Sequence, residues 1–181
     1  MTFERKVRLA RLPEMRLAYF ESKLSVEADG TTDYAQTAGL WDDFNDWRLR
    51  VRPALGRIDI AAIGWLLDME PQDGQVRYRM CVPIRSDYSP PPPAKTTFFP
   101  GGALAYCYSD NVDEIAEAFE AVDRFLTESG MVQKSGGIEV YKFHYNLEQH
   151  PSDCGVLVTL ADGRDPLPAS SHASPLNIAR D

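Results

Sequence analysis

The stretch NVDEIAEAFEAVDRFLTESG, from Asn111 to Gly130, decides how the rest of the chain is read. Ile115, Phe119, Val122 and Leu126 recur at the spacing of one helix face, with charged residues between them. Asn111 offers an N-cap, Glu114 stands at the capping-box position and Gly130 supplies a stop, so a helix is predicted over about 112–129. The same stripe occurs 75 positions earlier as Leu40, Phe44, Trp47 and Val51. It predicts a helix over about 34–52, closed by Pro53 and Gly56.

Working outward, each helix is preceded by one predicted strand and followed by two. In the first half these are about 7–21, with Leu12-Pro13 and Leu17-Ala18-Tyr19, then about 58–67 and 76–84 across the turn Pro71-Gln72-Asp73-Gly74. In the second half the leading strand opens with Phe99-Pro100-Gly101-Gly102 and Leu104-Ala105-Tyr106, and the later pair covers about 138–146 and 155–160. The extra length of the first half is the polar segment Ser25 to Asp33, read as a mobile surface loop.

The chain is therefore expected to be an α+β protein built from a duplicated βαββ module. A pseudo-two-fold, curved antiparallel sheet would carry both helices on one face, leaving a concave ligand cleft in front, between the halves. Residues 1–88 form the first repeat, 89–97 a Pro-rich connector stiffened by Pro90-Pro91-Pro92-Pro93, and 98–163 the second repeat. Residues 164–181 are a Pro-, Ser- and Ala-containing tail expected to be disordered or draped on a single compact domain.

Composition narrows the function classes. The 181 residues are 44% hydrophobic and 25% charged, with a net charge of −8, which argues against direct binding to a nucleic-acid backbone and mildly favours cationic ligands. No apolar run approaches the ~20 residues of a membrane span, and the first eleven residues lack the apolar core of a secretory signal, so no membrane association and a cytoplasmic location are expected. Cys81, Cys107 and Cys154 form no C-x-x-C pair, and His144, His150 and His172 show no ligand spacing. Buried thiols, no metal and no cofactor are the expectation. An edge strand in each half could support a homodimer.

The chemistry concentrates at Ile138-Glu139-Val140-Tyr141-Lys142-Phe143-His144-Tyr145. As a strand it alternates, so Glu139, Tyr141, Phe143 and Tyr145 share one face. Two readings stand at this point. Glu139 pairs with a surface cation while the rings fill the core, or the carboxylate and rings hold a flat, apolar, partly cationic molecule. Tyr19, Trp41, Trp65, Tyr78, Tyr106 and Tyr108 are further rings available to line a cleft, with Tyr106 and Tyr108 on one strand face forming a second aromatic row. Trp41, Phe44 and Trp47 on the helix read first as core.

With Leu12-Pro13, the helix ending at Trp47, Tyr78-Arg79-Met80-Cys81, Pro100-Gly101-Gly102 and Glu139-Val140-Tyr141 in this order, the chain resembles the GyrI-like small-molecule-binding domains, also called bacterial effector-binding domains, over about residues 5–165. The resemblance implies a duplicated βαββ fold with a central cleft in which Glu139 lies. Where members of that family often carry His-x-Gly-Pro, this chain has Tyr108-Ser109-Asp110-Asn111, and Asp68-Met69-Glu70-Pro71 stands for their Asp-Asp-Pro. No helix-turn-helix precedes Val7, so a stand-alone member is expected rather than a complete activator.

Three functions follow from the resemblance. The first is sequestration or sensing of a hydrophobic, planar or cationic small molecule, with Glu139 as counter-ion and Tyr19, Trp65, Tyr106, Tyr108, Tyr141, Phe143 and Tyr145 as contacts. The second is hydrolysis of electrophilic cyclopropanoid toxins, giving self-resistance, with Glu139 as general base and Tyr141 or Tyr106 as proton donor. The third, modulation of gyrase through protein contact, ranks lowest because the acidic residues are dispersed.

Overall fold

The structure is a computed structural model that describes residues 6–30, 32–51, 60–68, 70–109, 114–142 and 154–161. Among these residues eight strands are found: β1 (Val7–Leu12), β2 (Met15–Ser25), β3 (Ile60–Leu66), β4 (Gln75–Pro83), β5 (Lys95–Phe99), β6 (Gly102–Ser109), β7 (Ile138–Lys142) and β8 (Cys154–Thr159). The helices are α1 (Ala38–Val51), entered through a 3-10 turn at Tyr34–Thr37, and α2 (Ile115–Ser129). The strands form one antiparallel sheet in the order β1-β6-β8-β7-β3-β4-β2-β5.

That order is a palindrome. Replacing each strand by its counterpart four places along the chain reverses the list, and the pseudo-two-fold axis passes between β3 and β7. The duplication expected from the helix stripes is thus present, with one refinement. The leading strand of each repeat is broken by a turn, at Pro13-Glu14 and at Pro100-Gly101, and its first piece crosses over: β1 pairs with β6 and β5 pairs with β2.

Gly101 makes one of these turns. Its φ is +70°, and a Cβ there would lie 2.7 Å from the Leu12 carbonyl oxygen. Only glycine meets both demands, so Gly101→Ala is expected to destabilise the fold by about 2–3 kcal/mol in urea unfolding.

Both helices cover the same face. On α1, Phe44 and Trp47 are buried and Leu40 and Val51 pack beside them; on α2, Ala118, Val122 and Leu126 are buried. The helix α2 begins at Ile115, with Glu114 at its N-cap position, and the capping box expected between Asn111 and Glu114 involves a residue outside the described ones. Its other end is as expected, Gly130 closing it at φ 64° with hydrogen bonds to the Leu126 and Thr127 carbonyls. The segment Ser25 to Asp33 is a short hairpin rather than a free loop, held by Asp33 N–H to Ser25 O at 3.0 Å and Val26 N–H to Gly74 O at 2.9 Å. The connector is tied down too: Trp47 Nε1 donates to the Pro91 carbonyl at 3.3 Å, and Arg16 Nη1 donates to the carbonyls of Ser86 (2.7 Å) and Tyr88 (2.8 Å).

The helix-free face has its own core. Leu17, Ile63, Cys81, Leu104 and Ile138 are buried there as the sheet curls into a half-barrel. Cys81 and Cys107 are buried, and burial pushes the Cys81 thiol up. Among the described residues no helix is long and apolar enough to cross a membrane, and no cluster of His, Cys, Asp or Glu could hold a metal. The tail from 162 to 181 and the expected helix stops Pro53 and Gly56 lie outside the described residues.

Candidate functional site

Register decides which side each functional residue takes. Phe20, Met80, Gly64, Glu139, Val156, Cys107 and Val7 follow one another as directly paired positions across the sheet, so all share one face. Phe20 and Met80 belong to the core under α1, while Cys107 and Val156 belong to the core under α2. Glu139 therefore faces the helix side, beside the pseudo-axis and between the two helix-covered cores. This differs from the expected concave front face.

What holds the carboxylate is a ring of aromatic groups. Tyr78 on β4 and Tyr141 on β7 each donate a hydroxyl hydrogen bond to Glu139 Oε2, both at 2.9 Å. Opposite Glu139 on β3 is Gly64, and a Cβ there would overlap the Tyr78 hydroxyl and lie 2.6 Å from Oε2. A glycine inside a strand marks close approach of another group, which here is the two ends of this cluster. Trp41 of α1 meets Tyr141 edge-on at 5.6 Å between centroids and Tyr78 at 6.5 Å. Tyr34, 43% exposed, stands edge-on to Tyr78 at 5.8 Å and carries the ring cluster out to the surface.

The electrostatics are those of a carboxylate without a counter-ion among the described residues. Glu139 is partly buried, and that burial raises its pKa; the Tyr78 and Tyr141 hydrogen bonds act in the opposite, weaker sense. Among the described residues no Lys, Arg or His forms an ion pair with it. The phenols respond in kind. Burial and then the Glu139 charge push Tyr78 up strongly and Tyr34 up to about 12.

The residues expected to bind ligand divide between the faces. Glu139 and Tyr141 come together. Tyr19, Trp65, Tyr106 and Tyr108 fall on the helix-free face: Tyr19 and Tyr108 occupy the paired row through Cys81, Ile63, Val140 and Gly155, and Trp65 and Tyr106 the next row through Ile138 and Leu157. There Trp65 packs edge-on to Phe99 at 5.6 Å, and Arg79 sits 4.2 Å over the Tyr19 ring while pairing with Glu21 at 2.5 Å. The two aromatic rows therefore do not confront each other. Phe143 and Tyr145 lie outside the described residues. The residues not foreseen in the cluster are Tyr34 and Gly64, and Trp41 and Tyr78 take a larger part than core or general lining. The isolated Gly64 between Ile63 and Trp65 was the available signal.

The sheet is thus an eight-stranded pseudo-symmetric half-barrel that carries beside its axis an acid with no cationic partner among the described residues and a set of edge-on aromatic rings. Residues 5–154 match the GyrI-like small molecule binding domain, and the chain belongs to that family. Solved structures agree on the fold. SAV2435 bound to tetraphenylphosphonium superposes with a TM-score of 0.65 at 11% identity, covering 87% of this chain and 94% of that one. The EcmrR C-terminal domain gives 0.62 at 9% identity, covering 88% and 99%. A hydrolase encoded by lin2189 from Listeria innocua gives 0.55 at 12% identity, covering 87% and 93%. At such identities the likeness concerns the fold alone. No curated protein sequence matches the chain.

Proposed function

We propose that this protein binds a hydrophobic, aromatic cation on the helix side of its pseudo-axis, with Glu139 as counter-ion and Trp41, Tyr34, Tyr78 and Tyr141 as its aromatic surround. The observation that carries this reading is the partly buried Glu139 carboxyl, which two phenols hold in place and no described cation neutralises. Such a group is costly unless something positive joins it. Ring faces beside it add cation–π attraction, which strengthens where water is excluded. The presence of tetraphenylphosphonium in SAV2435 supports the same chemistry as a probe.

Linkage gives the test. Burial holds Glu139 protonated above its ordinary range, so a cation must expel that proton to gain its full attraction. Tetraphenylphosphonium binding, followed by titration calorimetry, is expected to strengthen by up to about tenfold per pH unit between the ordinary value of 4.5 and the raised value, and then level off. In that window the observed heat should depend on the buffer's ionisation enthalpy, because one proton is released. Binding that is flat across pH and blind to buffer identity sinks the counter-ion role.

A second reading, toxin hydrolysis, is favoured by the hydroxyl groups, which a purely cation-binding site does not require. Glu139 would take a proton from water as its oxygen attacks a cyclopropane carbon. The ring C–C bond breaks, its electron pair moves to a conjugated carbonyl oxygen, and Tyr141 or Tyr78 donates the proton there and regains one from Glu139, to which it is hydrogen-bonded. Tyr106, on the opposite face, is not placed to serve. Mass analysis for a one-water adduct of a cyclopropanoid electrophile separates turnover from binding.

A further inference from the structure

Both phenols that hold Glu139 use the same oxygen. Tyr78 and Tyr141 each donate to Oε2 at 2.9 Å, and no described group donates to Oε1. A carboxylate oxygen has two lone pairs. Those of Oε2 are filled, and those of Oε1 are open to a further donor. Gly64, the direct partner across the axis, also lies against Oε2: a Cβ there would be 2.6 Å from it, with only the Tyr78 hydroxyl nearer. The two phenols and β3 therefore crowd one oxygen. The surroundings are not sealed, since Glu139 and Trp41 are partly buried and Tyr34 is 43% exposed.

An open acceptor in such a place selects among cations. A protonated amine brings its nitrogen to about 2.7–2.9 Å from a carboxylate oxygen through N–H, and such a charge-assisted bond is roughly twice as strong as a neutral one. A quaternary cation of equal charge meets the same oxygen with a methyl or aryl group. Its positive centre stays further away, so the Coulomb attraction is smaller. It also displaces water from Oε1 without replacing the hydrogen bond that water gives, which costs affinity.

We propose that the site is selective for protonated aromatic amines, whose N–H donates to Glu139 Oε1 while the ligand's rings lie among Trp41, Tyr34, Tyr78 and Tyr141. This rests on the counter-ion reading of Glu139 and adds a hydrogen-bond requirement that charge alone does not impose. Tetraphenylphosphonium has no N–H, so it reports the charge and not this oxygen.

N,N-Dimethyl-2-naphthylmethylamine and its N,N,N-trimethyl counterpart share one ring system, and at neutral pH each carries one positive charge. They differ by N–H against N–CH3, and any cost of ionising Glu139 is common to both. Titration calorimetry of the full chain is expected to find the dimethylamine bound at least about tenfold more tightly. In Glu139→Gln the amide oxygen serves the two phenols and the NH2 takes the place of Oε1, donor facing donor, so the preference should vanish or reverse. Equal or tighter binding of the trimethyl compound by wild type overturns the selectivity, and so does a preference that survives in Glu139→Gln. In either case a loss of affinity for both compounds in Glu139→Gln leaves the counter-ion role standing. Unchanged affinity for both in Glu139→Gln sinks that role and this inference together. If neither compound binds wild type, the selectivity is overturned and tetraphenylphosphonium judges the counter-ion role. If circular dichroism shows Glu139→Gln unfolded, the wild-type comparison decides.

Discussion

Gly64→Ala is expected to raise the dissociation constant for tetraphenylphosphonium about a hundredfold and to destabilise the fold by about 1–3 kcal/mol. The added methyl overlaps the Tyr78 hydroxyl and comes within 2.6 Å of Glu139 Oε2, so one methyl disturbs both ends of the cluster. Tyr78 is 2% exposed and wedged against Tyr34 and Trp41, so its ring cannot swing away without unpacking them. Two companions separate this from a general glycine effect. Gly39 in α1 has nothing within 4 Å of its would-be Cβ, and Gly39→Ala should leave binding intact and hold or raise stability. Adding Tyr78→Phe to Gly64→Ala removes the overlapped oxygen and should return part of the lost stability. Wild-type affinity in Gly64→Ala would show that the ligand does not use this cluster.

Glu139→Gln carries the second large effect. The amide keeps the size and one acceptor for Tyr78 and Tyr141 but loses the charge, so tetraphenylphosphonium affinity at neutral pH should fall about a hundredfold while binding of a neutral aromatic is held. Any toxin turnover should vanish with it. Stability moves the other way. The Glu139 pKa is raised in the fold, so its contribution is fully present below the ordinary value of 4.5 and is lost as pH rises through the raised one. Urea unfolding at pH 8 should therefore find Glu139→Gln more stable than wild type, and the difference should close at pH 4. A variant less stable than wild type at both values would mean that the carboxylate is not a stored cost awaiting a cation.

Much of this architecture was legible before any coordinates, and the reason is periodicity. The stripes Leu40-Phe44-Trp47-Val51 and Ile115-Phe119-Val122-Leu126 each specify a helix that must cover a sheet, and their repetition specifies two. Glu139 with Tyr141 was legible as well, because alternation places them side by side on a single strand. The partners from other strands were not. Whether Tyr106 or Tyr78 shares a face with Glu139 depends on pairing through β8 or β3, and a slip of one residue reverses the answer. Alternation within β6 carries no such information. Gly64 shows how far the repeat itself could have gone. It lies 75 positions before Glu139, the same interval that separates Leu40 from Ile115, and it is Glu139's direct partner across the axis. One copy of the module thus has an acid where the other has only backbone. A carboxylate in both places would set two buried like charges against each other.

The exchange of β1 and β5 makes the connector less of a seam than its prolines suggest. Each module's outermost strand is supplied by the other, β1 closing against β6 and β5 against β2. The geometry is that of two arms clasped across the boundary between the modules. Neither module, severed at the prolines, would retain a complete border of its own. Both modules are thereby tied together across the axis beside which the carboxylate sits.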